Sequence, residues 1–93
     1  MKPISEFFDS FDTALDLPLW IWESANPKAK MTHFTGRYAI NGIPDAKWVV
    51  NLVVLDDGQR MGTVLRGQRV MTLTEALCLK VEAKARAFFK EER

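Results

Sequence analysis

The stretch Lys47 to Arg66, KWVVNLVVLDDGQRMGTVLR, decides the fold. Val, Leu and Trp in its flanks suit a pleated, half-buried surface, and the Asp56-Asp57-Gly58 step between them can supply the positive φ of a tight turn. A hairpin at the centre of a sheet is therefore predicted. In its first strand, Lys47 to Leu55, the residues Trp48, Val50, Leu52 and Val54 alternate with Val49, Val53 and Leu55. Both faces are largely apolar, so partial cover on both sides is expected, with Asn51 as the exception. In the second strand, Arg60 to Arg66, the residues Met61, Thr63 and Leu65 face one way and Arg60, Val64 and Arg66 the other.

Upstream, Met31 to Ile40 has the alternation of another strand, with Phe34, Gly36, Tyr38 and Ile40 on one face and His33, Thr35 and Arg37 on the other. Asn41-Gly42 and Pro44-Asp45 supply turn chemistry before Trp48. If the faces register as drawn, Arg37, Lys47, Arg60 and Arg66 share the outer side of the sheet with His33 and Asn51. That side is the candidate binding surface, and the opposing reading is that outer strand positions carry Arg and Lys to prevent sheet-to-sheet association. Arg66-Gly67-Gln68-Arg69 is a second turn, and Val70 to Thr72 adds at most a short strand.

The flanks read as helices. Pro3 to Asp16 places Ile4, Phe7, Phe8, Phe11 and Leu15 on one face and Glu6, Asp9, Asp12 and Asp16 on the other, an amphipathic helix stopped by Pro18. Its acidic face is either a solvated surface or a mimic of a phosphate backbone. Leu17 to Glu23, LPLWIWE, fits a strand with Trp20 and Trp22 on one side, either buried or exposed for base stacking or a protein contact. Ser24 to Lys30 reads as a loop. At the other end, Thr72-Leu73-Thr74-Glu75 has capping-box spacing, and Leu73, Leu77, Val81, Ala85 and Phe88 form the stripe of a helix packed on the sheet. Lys80 and Lys84 flank that stripe.

Length and composition bound the function. A chain of 93 residues with 47% hydrophobic content forms one domain, 1–93, with a two-layer core. One cysteine, Cys78, rules out an intramolecular disulfide framework and fits a reducing compartment. No apolar run reaches the roughly 20 residues of a membrane span, so a cytoplasmic protein is expected. The net charge of +1 hides an asymmetry: through Ala25 only Lys2 opposes Glu6, Asp9, Asp12, Asp16 and Glu23, and the basic residues are concentrated after it. With His33 and Cys78 as the only imidazole and thiol, on faces that point apart, no metal or cofactor and no catalytic activity are expected. The glycines form neither a P-loop nor a dinucleotide fingerprint.

The predicted fold is thus α+β, an antiparallel sheet of three to four strands with an N-terminal amphipathic helix and a C-terminal helix on the sheet. This order resembles the α-β-β-β-α plan of double-stranded RNA-binding domains, with Lys80, Lys84 and Arg86 on the last helix. That family gathers its phosphate-binding lysines at the start of this helix, where Thr74-Glu75-Ala76 stands here, so no site residue carries over. The compact length, the acidic helix SEFFDSFDTALD, the basic sheet and the lack of chemical motifs resemble small phage inhibitors of the anti-CRISPR type. That resemblance implies a non-enzymatic protein that occupies a surface of a host nucleoprotein complex in the bacterial cytoplasm. Arg37, Lys47, Arg60, Arg66 and Arg69, or alternatively Glu6, Asp9, Asp12 and Asp16, would make the contact. The other expectations are a small double-stranded nucleic-acid-binding domain and a homodimeric module joined through Trp20, Trp22 or an edge strand.

Overall fold

The computed structural model describes residues 4–17, 20–28, 31–38 and 48–91. Helix α1 (Ile4–Leu15) leads into strands β1 (Trp20–Lys28), β2 (Met31–Tyr38), β3 (Trp48–Leu55), β4 (Arg60–Arg66) and β5 (Arg69–Thr72), followed by helix α2 (Glu75–Glu91). The strands form one antiparallel meander in chain order, with β3 at the centre and β1 and β5 at the edges. The class is α+β as expected, but the sheet has five strands instead of three to four.

β5 completes the five strands, and β1 is longer than expected. Ser24 to Lys28, expected in a loop, continue β1: Ser24 pairs with Phe34, Ala25 with His33 and, after a register shift, Lys28 with Met31. An edge strand tolerates Pro27, which has no N–H, so a loop-like composition is compatible with pairing there. β5 forms because the Gly67-Gln68 turn folds Arg69 back onto Arg66, and the pairing then runs to Thr63 and Thr72. Gly67 takes φ +61°, which suits the first central position of a two-residue hairpin turn. Gly58 takes φ +91° in the central hairpin, where the Leu55 carbonyl accepts the Gly58 N–H at 3.0 Å. The expected turn over residues 41–45, Ala29, Lys30 and the helix-stopping Pro18 lie outside the described residues.

The helix ends follow from their caps. α1 tightens at its end, where the Asp16 and Leu17 N–H groups donate to the carbonyls of Thr13 and Ala14 at 3.2 and 3.0 Å. α2 starts two residues later than the expected capping box: Thr74 Oγ1 accepts the Leu77 N–H at 3.2 Å, and the Thr74 carbonyl accepts the Cys78 N–H at 2.9 Å. Thr72 is held in β5 opposite Thr63 instead.

Both helices cover one face of the sheet. Trp20, Trp22, Phe34, Tyr38, Trp48, Val50, Leu52 and Val64 point to that face and are buried together with Phe7, Phe11 and Leu15 of α1 and Leu77, Val81 and Ala85 of α2. Aromatic contacts seat α1. Trp48 meets Phe7 and Phe11 at centroid distances of 5.3 and 5.4 Å, and Phe11 meets Trp20 edge-on at 6.1 Å. Trp20 stacks on Trp22 at 5.5 Å, and its indole N–H donates to the Ala14 carbonyl at 2.8 Å, which leaves this buried donor satisfied. The two tryptophans are core residues, so neither base stacking nor dimerisation through them is available.

Gly36 is paired with Trp22, whose ring lies across it. A Cβ at Gly36 would fall 2.7 Å from Cε3 and Cη2 of that ring, well inside van der Waals contact. Gly36→Ala is therefore expected to destabilise the fold by about 1–3 kcal/mol, the usual cost of overpacking a filled core. Thermal unfolding followed by Trp fluorescence checks this, and an unchanged midpoint would show that Trp22 can move aside.

Candidate interaction surface

The face of the sheet that carries no helix is ordered in rows by the strand register. One row runs Ile21, Arg37, Val49, Leu65 and Val70 from β1 to β5. The next runs Glu23, Thr35, Asn51, Thr63 and Thr72, and the third Ala25, His33, Val53 and Met61. A polar stripe thus lies between two rows that are mainly apolar. Ile21, Met61 and Val70 are 59%, 66% and 61% exposed, so large apolar side chains stand in solvent on β1, β4 and β5 of this face. Open faces of antiparallel sheets normally alternate polar outward, and this one departs from that pattern.

The polar stripe is tied together across strands. Asn51 Oδ1 accepts the Thr35 hydroxyl at 3.1 Å and lies 3.2 Å from His33 Nε2, a contact that needs the proton on Nε2. These bonds fix three side chains of β2 and β3 without using the Asn51 amide as a donor, so the stripe can still recognise a partner's acceptor. Arg37 and Glu23 pair at 3.3 Å on the rim, and with both side chains more than half exposed this pair adds little stability.

The five basic residues expected on one surface are not brought together. Arg37 is on the open face, but Arg60 and Arg66 project to the helix side, opposite Val54 and Trp48. Arg60 donates to Glu82 of α2 at 2.5 Å and to the Gly58 carbonyl at 3.0 Å. Arg66 lies over Trp48, 4.6 Å from the ring centroid, and Arg69 over Phe7 at 4.9 Å. Lys47 is outside the described residues. The reason is parity: Arg60 and Arg66 share their strand face with Val64, which is fully buried under the helices. Val64 was the signal in the sequence that this face turns inward.

The acidic helix is also partly used within the molecule. Lys80 pairs with Asp12 and, at 3.2 Å, with Asp16, and Lys84 reaches Asp16 at 3.2 Å. Hydrogen bonds from Lys80 and then Lys84 hold the Asp16 carboxyl below its ordinary value, and the bond to Asp12 holds the Lys80 ammonium above its own. Glu6 and Asp9 are exposed and form no ion pair among the described residues. Residues Lys80 and Lys84, candidates for phosphate contact, clasp α1 to α2 instead.

The only thiol and the only imidazole of the chain do not meet. Cys78 is buried in α2, where burial pushes its thiol above the ordinary value, and His33 lies on the opposite face of the sheet. No group of three or more potential metal ligands occurs among the described residues, and no described helix is long and apolar enough to cross a membrane.

Glu82 carries a testable pH dependence. Burial alone would raise its carboxyl, but hydrogen bonds from Arg60 and Arg86 outweigh that and hold it below the ordinary value of 4.5. A depressed folded value contributes stability above the unfolded one, lost as pH falls through the folded value. Glu82→Gln should therefore cost about 1–2 kcal/mol at neutral pH, as expected for a half-buried charged hydrogen bond, and the gap to the wild type should close below pH 4.5. Urea unfolding across that range measures it, and a gap constant with pH would contradict the assignment. No protein-family model matches the chain, and no curated protein or solved structure is detectably similar to it.

Proposed function

We propose that the protein is a non-enzymatic binding module that docks its open sheet face on a protein component of a larger host nucleoprotein assembly in the bacterial cytoplasm, as an inhibitor of the phage type. The observation that carries the binding role is that face: Ile21, Met61 and Val70 exposed around half-buried Val49, Val53 and Leu65, with a hydrogen-bonded Thr35-Asn51 stripe between them. Covering apolar rows yields roughly 25 cal/mol per Å² removed from water, and a central polar stripe fixes orientation. The inhibitor role rests on the resemblance in size, acidic helix and missing motifs.

A duplex fits this face poorly. Phosphate recognition needs several cations on one surface, and in the three cross-strand rows of the open face the one arginine, Arg37, is already paired with Glu23. The apolar rows would remain in water against a nucleic-acid backbone.

The test is capture from a lysate of a bacterial host, with and without nuclease, by the wild type and by Ile21→Lys/Met61→Lys/Val70→Lys. These positions are exposed, so the variant should retain the far-ultraviolet spectrum and thermal midpoint. A defined, nuclease-resistant complex held by the wild type and weakened at least about tenfold in the variant is expected. Equal capture by both proteins would remove the open face from the function. A concentration-dependent mass lost in the variant would instead assign the face to self-association.

A further inference from the structure

We infer that the cleft between α1 and the β4–β5 hairpin is a phosphate-binding site built on Arg66 and Arg69. The cleft, about 220 Å³, is lined by Glu6, Phe7, Ser10, Trp48, Arg66 and Arg69. That volume is below the range of drug-sized ligand pockets and suits one small group.

The distribution of charge partners singles out these two arginines. Of the described arginines, Arg37 pairs with Glu23, and Arg60 and Arg86 both pair with Glu82. Arg66 and Arg69 have no carboxylate within ion-pair distance among the described residues, and each lies over an aromatic ring instead, Trp48 and Phe7. They are also direct cross-strand partners flanking a two-residue turn, so the two side chains leave paired backbone positions on the same face of the sheet and line the same cleft.

The chemistry follows from the planarity of the group. A guanidinium whose face is covered by a ring still has its N–H donors in its own plane, at the edge. Two such edges, fixed by stacking, suit bidentate donation to a phosphate better than to a spherical anion, with little side-chain entropy left to lose. Ser10 adds a hydroxyl at the same cleft. Glu6 lines it too without pairing to either arginine, so its carboxylate repels an anion and moderates affinity. The site is independent of the open sheet face, because Arg66 and Arg69 project from the other side of the sheet.

The group recognised is a phosphate, carried by a free ion or a polynucleotide backbone, and both are probes: inorganic phosphate and a short oligothymidylate, titrated at low salt while Trp48 and arginine side-chain resonances are followed by NMR. Saturable shifts of Trp48 and of the Arg66 and Arg69 side chains are expected. Arg69→Gln should weaken binding roughly tenfold and lower the salt slope by about one, and Arg66→Lys, which keeps the charge but loses the planar edge, should weaken it as well. Glu6→Gln should tighten it. Lys90→Gln, an exposed charge loss away from the cleft, serves as the matched control. Oligothymidylate binding more tightly than inorganic phosphate assigns the site to a polynucleotide backbone, and equal binding assigns it to an isolated phosphate group. The proposal is overturned if neither probe shifts these resonances, or if Arg69→Gln binds no more weakly than Lys90→Gln.

Discussion

The contact on which the rest of the structure depends is the seating of α1 on Trp48 and Trp20. Trp48 opens the central strand and touches Phe7 and Phe11 on one side and Arg66 on another. Trp20 opens the edge strand and binds the Ala14 carbonyl in the last turn of α1. One short helix therefore closes the core across the width from β1 to β3. Fully burying large apolar side chains contributes roughly 1.5–3 kcal/mol each, so this aromatic seam outweighs the exposed ion pairs that accompany it. It also explains the glycine in β2: the Trp22 ring, stacked behind Trp20, needs the space that a side chain at position 36 would fill.

Electrostatics in this molecule serves assembly more than display. Lys80 and Lys84 hold Asp12 and Asp16, and Glu82 gathers Arg60 and Arg86, so both helices are tied by charge to each other or to the sheet. The exposed pairs among these orient elements that the apolar core has already brought together, and the half-buried Arg60–Glu82 pair adds stability of its own. The consequence is that formal charge is a poor guide to the outer surface. Among the described residues without an ion pair, Arg66 and Arg69 lie on rings at one end of the sheet, beside Glu6 of α1.

The elements were largely legible in the sequence, and the surfaces were not. Period-two alternation in Lys47 to Arg66 and the apolar stripe of the last helix identify strands and helix because one face of each is buried. The continuation of β1 through Ser24 to Lys28 is hidden because edge pairing is a backbone property and imposes little on side chains. The cap at Thr74 instead of Thr72 depends on how far β5 pairs with β4. The ion pairs between α1 and α2 join residues 64 and 68 apart in the chain, so they depend on which way α1 lies on the sheet. The reading of Arg60 and Arg66 as outward failed for a reason visible in the chain: Val64 lies between them on the same face, and its burial turns that face inward.

That same parity organises the two surfaces with functional potential. At the β4–β5 hairpin, Leu65 and Val70 face the open side and Arg66 and Arg69 face the helices, as two successive cross-strand pairs. A slip of one residue would exchange them, placing guanidinium groups on the open face and aliphatic side chains against Trp48 and Phe7. The register is held by the two-residue turn, where only Gly67 takes a positive φ, and by the stacking of Arg66 on Trp48. The apolar rows of the open face and the cleft with Arg66 and Arg69 are therefore separated by the thickness of a single strand, and the turn that sets their register determines both.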